Sequence, residues 1–281
     1  MMVDSSLTSY VAFDGENLAL QEWPLPSGLA LRGAVLLVHG LGEHAGRYDP
    51  LAQWFCERGF AVRGYDQYGH GQSSGTRGGL PNDTKLLDDL SDLVEHTRSH
   101  IPPGKPLLLL GHSLGGLVAA RWVAEGRLPV DGLILSSPAL DAGFSPLQRL
   151  LLAVLPRLAP NLRVGNGLDP RYLSHDTQVV QAYREDPQVH DRISARLARF
   201  IAESGPRVLA QAPVWKVPTL LLFAGDDHLV NPRGSRAFAA AAPACVRSHE
   251  FPTLYHEIFN EAAPMAQSVY AALRAWLDTQ T

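Results

Sequence analysis

The sequence predicts an α/β protein built on a parallel sheet, and three observations carry that prediction. Apolar runs of strand length recur along the chain, helical periodicity fills the gaps between them, and the strongest runs are apolar without alternation. Those runs are Ala34 to Val38, Leu107 to Leu110 and Leu220 to Phe223. A strand that is apolar on both faces belongs inside a sheet covered by helices on both sides.

Taken in order, residues 9 to 23 read as two short strands around Asp14-Gly15, a hairpin signal. After the run ending at Val38, Tyr48, Leu51, Ala52 and Phe55 fall at i, i+3, i+4 and i+7, with Gly59 placed to cap a helix C-terminus. A weaker strand follows at Phe60 to Tyr65. Leu86, Leu87, Leu90, Leu93 and Val94 repeat the helical pattern after "PND", a candidate N-cap. Beyond the strand at Leu107 come a helix through Val118 and Trp122 that stops before Gly126, and a strand at Leu133 to Ser136. From about 141 to 213 the alternation breaks. Helical pieces such as "LQRLLLAVLPRL" and "SARLARFIAES" appear there with Pro and Gly between them and no strand run, which predicts a helical cap or lid. The chain then divides into a first core part (1–140), the cap (141–213) and a second core part (214–281). That last part holds the strand at Leu220, another at Val246 to Phe251 and a final helix after Pro264.

The 281 residues, 46% of them hydrophobic, suffice for a substantial core. A formal net charge of −4 with scattered Lys and Arg argues against nucleic acid as a partner. Cys56 and Cys245 stand far apart without metal-ligand spacing and read as two reduced thiols. The N-terminus has no basic region followed by an apolar core, so a cytoplasmic location is expected. The most apolar long stretch, Phe144 to Pro160, is interrupted by Arg149, Pro156 and Arg157 before it could span a bilayer.

The chemistry centres on Gly111-His112-Ser113-Leu114-Gly115, which fits G-x-S-x-G between an apolar strand and an apolar-periodic helix. The flanking glycines allow a strained turn that presents Ser113 at a helix N-terminus, where partial positive charge favours an oxyanion. A serine nucleophile needs a base and an orienting acid, which in this arrangement follow in the order acid, then His. Asp226 and Asp227 lie just past a strand, and His256 lies in a loop before the last helix. Asp141 is a third position for the acid. His39, His70 and His112 sit in Gly-flanked motifs and are expected to serve as structural hydrogen-bonding groups. His175, His190 and His249 read as surface residues.

Through "HGLGEHAGRY", "YDQYGHGQSSG", "GHSLGG", "GDDHLV" and "YHEIFNE" the chain resembles α/β-hydrolases of the monoacylglycerol lipase and lysophospholipase-like branch, which shares its core with serine aminopeptidases. The resemblance covers nearly the whole chain outside the cap. It implies a mostly parallel eight-stranded sheet flanked by helices, with the cap inserted after the sixth strand. It also implies Asp227 as the acid, because His228, Leu229 and Val230 follow it with the family's spacing, and an ordered loop in which Asp66 and His70 fix neighbouring backbone. The oxyanion hole is then expected from the backbone N–H groups of Leu41 and Leu114. Glu43 and Arg47 are expected near the alcohol side of the ester, where the resemblance implies a polar site for glycerol hydroxyls; the competing reading is an i,i+4 salt bridge that shapes the loop.

The expected activity is hydrolysis of lipid monoesters, monoacylglycerol first, with lysophospholipid hydrolysis or general carboxylesterase action as alternatives. No metal or organic cofactor is called for. An S33-type aminopeptidase is disfavoured because "HGLGEH" stands where an H-G-G-P-G-like loop is usual, and a non-catalytic binding protein because all three triad members are present. The apolar "FSPLQRLLLAVLPRL" is expected to cover an acyl pocket and to make transient contact with membranes or micelles, either of which competes with plain packing onto the core.

Overall fold

A computed structural model describes residues 4–143 and 145–280. Strands β1 (Ser6–Val11) and β2 (Asn17–Trp23) form the expected hairpin, antiparallel with Tyr10 opposite Leu18. At its turn Gly15 takes a φ of +87°, a left-handed conformation that Gly adopts without steric cost. β3 (Gly33–Val38), α1 (Asp49–Cys56), β4 (Phe60–Tyr65), α2 (Lys85–Ser99), β5 (Leu107–His112), α3 (Ser113–Ala124) and β6 (Gly132–Ser136) then alternate.

After β6 the chain leaves the sheet for α4 (Pro146–Leu158), β7 (Arg163–Gly165), α5 (Thr177–Glu185), β8 (Arg192–Ser194) and α6 (Ala195–Gln211). It returns through β9 (Thr219–Ala224), α7 (Arg233–Ala241), β10 (Val246–Phe251) and α8 (Ala263–Leu277). The eight-stranded sheet has the order β1-β2-β4-β3-β5-β6-β9-β10 and is parallel from β4 to β10. This is the architecture of an α/β-hydrolase.

Every residue of β3, β5, β6 and β9 is buried, and side chains alternate between two cores. Leu36, Val38, Leu109 and Leu135 join α2, α3 and α6 on one face, while Leu37, Leu110, Ile134 and Leu222 join α1 and α8 on the other. This two-sided burial is the reason the strands read as continuous apolar runs.

Three features depart from the sequence reading. The region after β6 does contain strands: β7 and β8 pair antiparallel, Val164 opposite Ile193. At three residues each they are too short for any periodicity to register. Helix α7 was not expected, since Phe238 is its one large apolar residue and the rest of its buried face is Gly and Ser. His190 is not a free surface group: it is half-buried and its Nδ1 accepts the Arg192 N–H at 3.2 Å, whereas His175 is exposed as expected, although its Nδ1 meets Glu261 at 2.8 Å. Phe144 and the side chain of Leu151, from the apolar stretch singled out above, lie outside the described residues.

Candidate active site

The parallel strands deliver their C-terminal ends to one edge of the sheet, and the candidate residues gather there because each follows such an end. Ser113 follows β5 directly and has a φ of +53°, a conformation that strains a residue with a side chain. The glycines around it make that turn possible. A Cβ on Gly115 would lie 2.1 Å from the Val38 carbonyl oxygen, and one on Gly111 would lie 2.5 Å from the carbonyl oxygen of Gly115. Leu114 is buried in the first turn of α3, where a backbone N–H has no partner within the helix.

Past β9, Asp226 and Asp227 diverge. The Asp226 side chain is half-exposed and faces His228 at 3.1 Å. The Asp227 side chain is 2% exposed, with Oδ2 2.6 Å from His256 Nδ1. Its Oδ1 accepts the backbone N–H groups of Leu229 and Val230 at 2.9 and 3.0 Å, so the turn after the aspartate holds the carboxylate in place. Burial works against ionisation of Asp227, but the His256 charge and hydrogen bond and the two backbone donors outweigh it and hold its pKa below the usual carboxylate value. His256 shows the converse: burial alone would depress its pKa, but the charge and hydrogen bond of Asp227, with Glu257 and Glu43 nearby, raise it. With Nδ1–H committed to Asp227, Nε2 is left for proton transfer. Asp141 does something else, accepting the Gly143 N–H at 2.9 Å.

The loop after β3, which carries Leu41, is tightly held. His39 Nδ1 contacts the Gly40 carbonyl at 2.7 Å while Nε2 accepts the Gln67 N–H at 2.8 Å, so both ring nitrogens are used in fixing backbone. Asp66 accepts the N–H groups of Ala45 and Gln72, each at 2.8 Å. His70 contacts the Tyr68 carbonyl at 3.0 Å. His112 packs 4.7 Å from the His256 ring and contacts Ser136 Oγ at 3.0 Å; burial first, then the His256 charge, push its pKa down to about 4.

Glu43 and Arg47 do meet, as their spacing requires, but neither is idle. Glu43 is buried, and it accepts the Gly40 N–H, the Tyr48 hydroxyl at 2.5 Å and an Arg47 N–H. Burial opposes its charge, but Arg47, His112, His39 and the Tyr48 hydrogen bond bring its pKa down to about 2. Arg47 also donates twice to Glu257, at 2.7 and 2.9 Å, and its guanidinium lies over the Tyr183 ring. The carboxylate that the sequence reading offers to glycerol hydroxyls is therefore taken up by three protein donors, the geometry of the loop-shaping ion pair. Sequence reasoning missed Tyr48 and Glu257. "YHEIFNE" displays Glu257, but nothing local announces a partner 210 residues away.

Comparison with known proteins identifies the family and supports the fold. Residues 30–263 match the family model described as serine aminopeptidase, S33. A monoacylglycerol lipase of Mycolicibacterium smegmatis is 36% identical over 250 residues, covering 88% of each chain. An uncharacterized abhydrolase domain-containing protein of Dictyostelium discoideum is 32% identical over 92% of this chain, which spans only 28% of that protein's length. Among solved structures, a soluble variant of the Saccharomyces cerevisiae monoglyceride lipase, in complex with a substrate analog, superposes with a TM-score of 0.91 at 25% identity, covering 100% of this chain and 97% of that one. Fold, elbow and matched span lead to one conclusion: the chain belongs to the serine aminopeptidase S33 family, as a serine hydrolase of its monoacylglycerol lipase-like branch.

Proposed function

We propose that the protein hydrolyses lipid monoesters, monoacylglycerol to glycerol and fatty acid, with Ser113, His256 and Asp227 as its triad. The observation that carries the reading is the buried 2.6 Å contact between Asp227 and His256, at the same sheet edge as the strained Ser113. His256 Nε2 takes the proton of Ser113 Oγ as the oxygen attacks the ester carbonyl. The N–H groups of Leu41 and Leu114 stabilise the tetrahedral oxyanion. His256 then protonates the departing alcohol, leaving an acyl-Ser113. Water, deprotonated by the same nitrogen, attacks the acyl carbon and releases the fatty acid. Glu43 serves this cycle indirectly, by holding the Gly40 N–H and so fixing the loop that carries Leu41.

The region from 141 to 213 acts as the cap over the acyl chain. Part of it packs onto the core, since Leu197, Phe200, Ile201 and Val208 of α6 share a cluster with Leu117 and Val118 of α3. On α4, by contrast, Leu150, Val154 and Leu158 lie four apart and are 63%, 46% and 77% exposed. That ridge is the surface we assign to transient contact with micelles or membranes. Among the described residues no helix is long and apolar enough to cross a membrane.

The test is a panel of monoacylglycerols, diacylglycerols, lysophospholipids and short activated esters of matched acyl length, with Ser113→Ala as control. A clear preference for monoacylglycerol is expected. Preference for a lysophospholipid, or none among head groups, would replace the substrate assignment, and turnover by Ser113→Ala would remove the mechanism.

A further inference from the structure

Glu261, which ends the segment "YHEIFNE", has no part in the reaction just described, yet its side chain is 0% exposed. A buried carboxylate is costly unless its oxygens are saturated with donors. Three donors converge on this one, with the Ser174 hydroxyl as a shared fourth contact. Oε1 accepts the Tyr255 N–H at 2.7 Å and faces His175 Nδ1 at 2.8 Å. Oε2 accepts the His175 N–H at 2.9 Å and lies 3.2 Å from Ser174 Oγ, whose proton it shares with the Asn260 carbonyl.

The donors come from two places. Tyr255 directly precedes His256, whereas Ser174 and His175 lie in the segment leading into α5. Around the carboxylate the two stretches are joined repeatedly: His256 N–H to the Tyr172 carbonyl at 3.3 Å, Glu257 N–H to the Leu173 carbonyl at 2.8 Å, and Ser174 Oγ to the Asn260 carbonyl at 2.9 Å. Rings reinforce the junction. Tyr255 stacks on His175 at 3.7 Å, and Tyr172 stacks at 4.2 Å on His228, the neighbour of Asp227.

We propose that Glu261 is a positioning residue for His256: it fastens the histidine loop to residues 172–175, so that this part of the cap becomes the scaffold of the general base. The inference rests on the triad reading above. Displacing either stretch would leave a buried carboxylate short of donors, so the junction holds one geometry. A displacement of the base by about 1 Å costs on the order of a hundredfold in rate.

The experiment compares Glu261→Gln, His175→Leu and His175→Asn with the unaltered protein, on a short p-nitrophenyl ester that needs little from the cap. Gln turns one of the two acceptor atoms into a donor facing donors. Leu removes the ring donor, whereas Asn restores an N–H close to the position of Nδ1. We expect Glu261→Gln and His175→Leu to lower kcat with little change in KM and to weaken the downfield proton resonance of the His256–Asp227 hydrogen bond, while His175→Asn restores both. Folded Glu261→Gln protein with unaltered kcat and resonance would overturn the proposal and leave Glu261 a fold anchor. Should Glu261→Gln not fold, the two His175 variants decide, and equal behaviour of Leu and Asn overturns it. The resonance is also read in the Ser113→Ala protein, which separates failure of the positioning role from failure of the hydrolytic reading.

Discussion

Arg47 grips Glu257 through two N–H···O contacts of 2.7 and 2.9 Å, tying the residue after His256 to the loop that carries Leu41. Because Arg47 also binds Glu43, one guanidinium stands between two buried carboxylates. Removing one partner of such a pair costs about 3–5 kcal/mol, mostly by stranding the other charge. Arg47→Ala strands two, so it should lower the melting temperature more than Glu43→Gln does. Both variants should also lose kcat/KM equally on a monoacylglycerol and on the ethyl ester of the same acid, because three protein donors already occupy most of the acceptor positions of Glu43. A several-fold larger loss on the glyceryl ester would restore a direct head-group contact.

The triad makes a sharper prediction. Ser113→Ala and His256→Ala should each remove nearly all ester hydrolysis, and Asp227→Asn should cost about a thousandfold or more. Asp226→Asn should be mild, since its half-exposed side chain meets only His228 among the contacts described for it. The order of the two aspartate variants in a kcat measurement decides between them.

His256 must be neutral to accept a proton, and its pKa is raised above the ordinary 6.5. Activity should therefore rise with pH through a single limb centred above 6.5, later than an unperturbed histidine would give. In Asp227→Asn the main raising influence is gone and burial remains, so the limb of the residual activity should move to lower pH. A kcat/KM profile on a soluble ester reads both; an unmoved limb would detach it from this pair.

The exposed ridge on α4 predicts a difference between presentations of substrate. Val154→Ser with Leu158→Ser should weaken hydrolysis of long-chain esters in vesicles or micelles and leave a dissolved short ester untouched. Both side chains are well exposed, so a loss of stability is not expected. Equal losses on the two presentations would point to repacking of the cap.

Much of this protein is determined locally and was legible in the sequence. Strand 60–65 lies where its apolar patterning put it, and strand 246–251 lies where expected although only its two ends, Val246 and Phe251, are apolar. The hairpin turns at Asp14-Gly15, and the motif at 111–115 marks a strained turn because only Gly fits where a Cβ would strike the Val38 carbonyl oxygen. Periodicity and steric exclusion act over a few residues, and a reader of the chain sees them directly. Helix α7 and the β7–β8 pair escaped because small residues and three-residue strands carry too little pattern. What only the tertiary structure decided is which charged group meets which. Glu43 is three residues from Gly40, yet its partners include a guanidinium also held by Glu257, and Glu261 finds Ser174 and His175 some 86 residues earlier. Such meetings depend on the order of strands in the sheet and on how the cap returns to it. A buried carboxylate is tolerated only after that topology has brought its donors, so no window of sequence around it can reveal them.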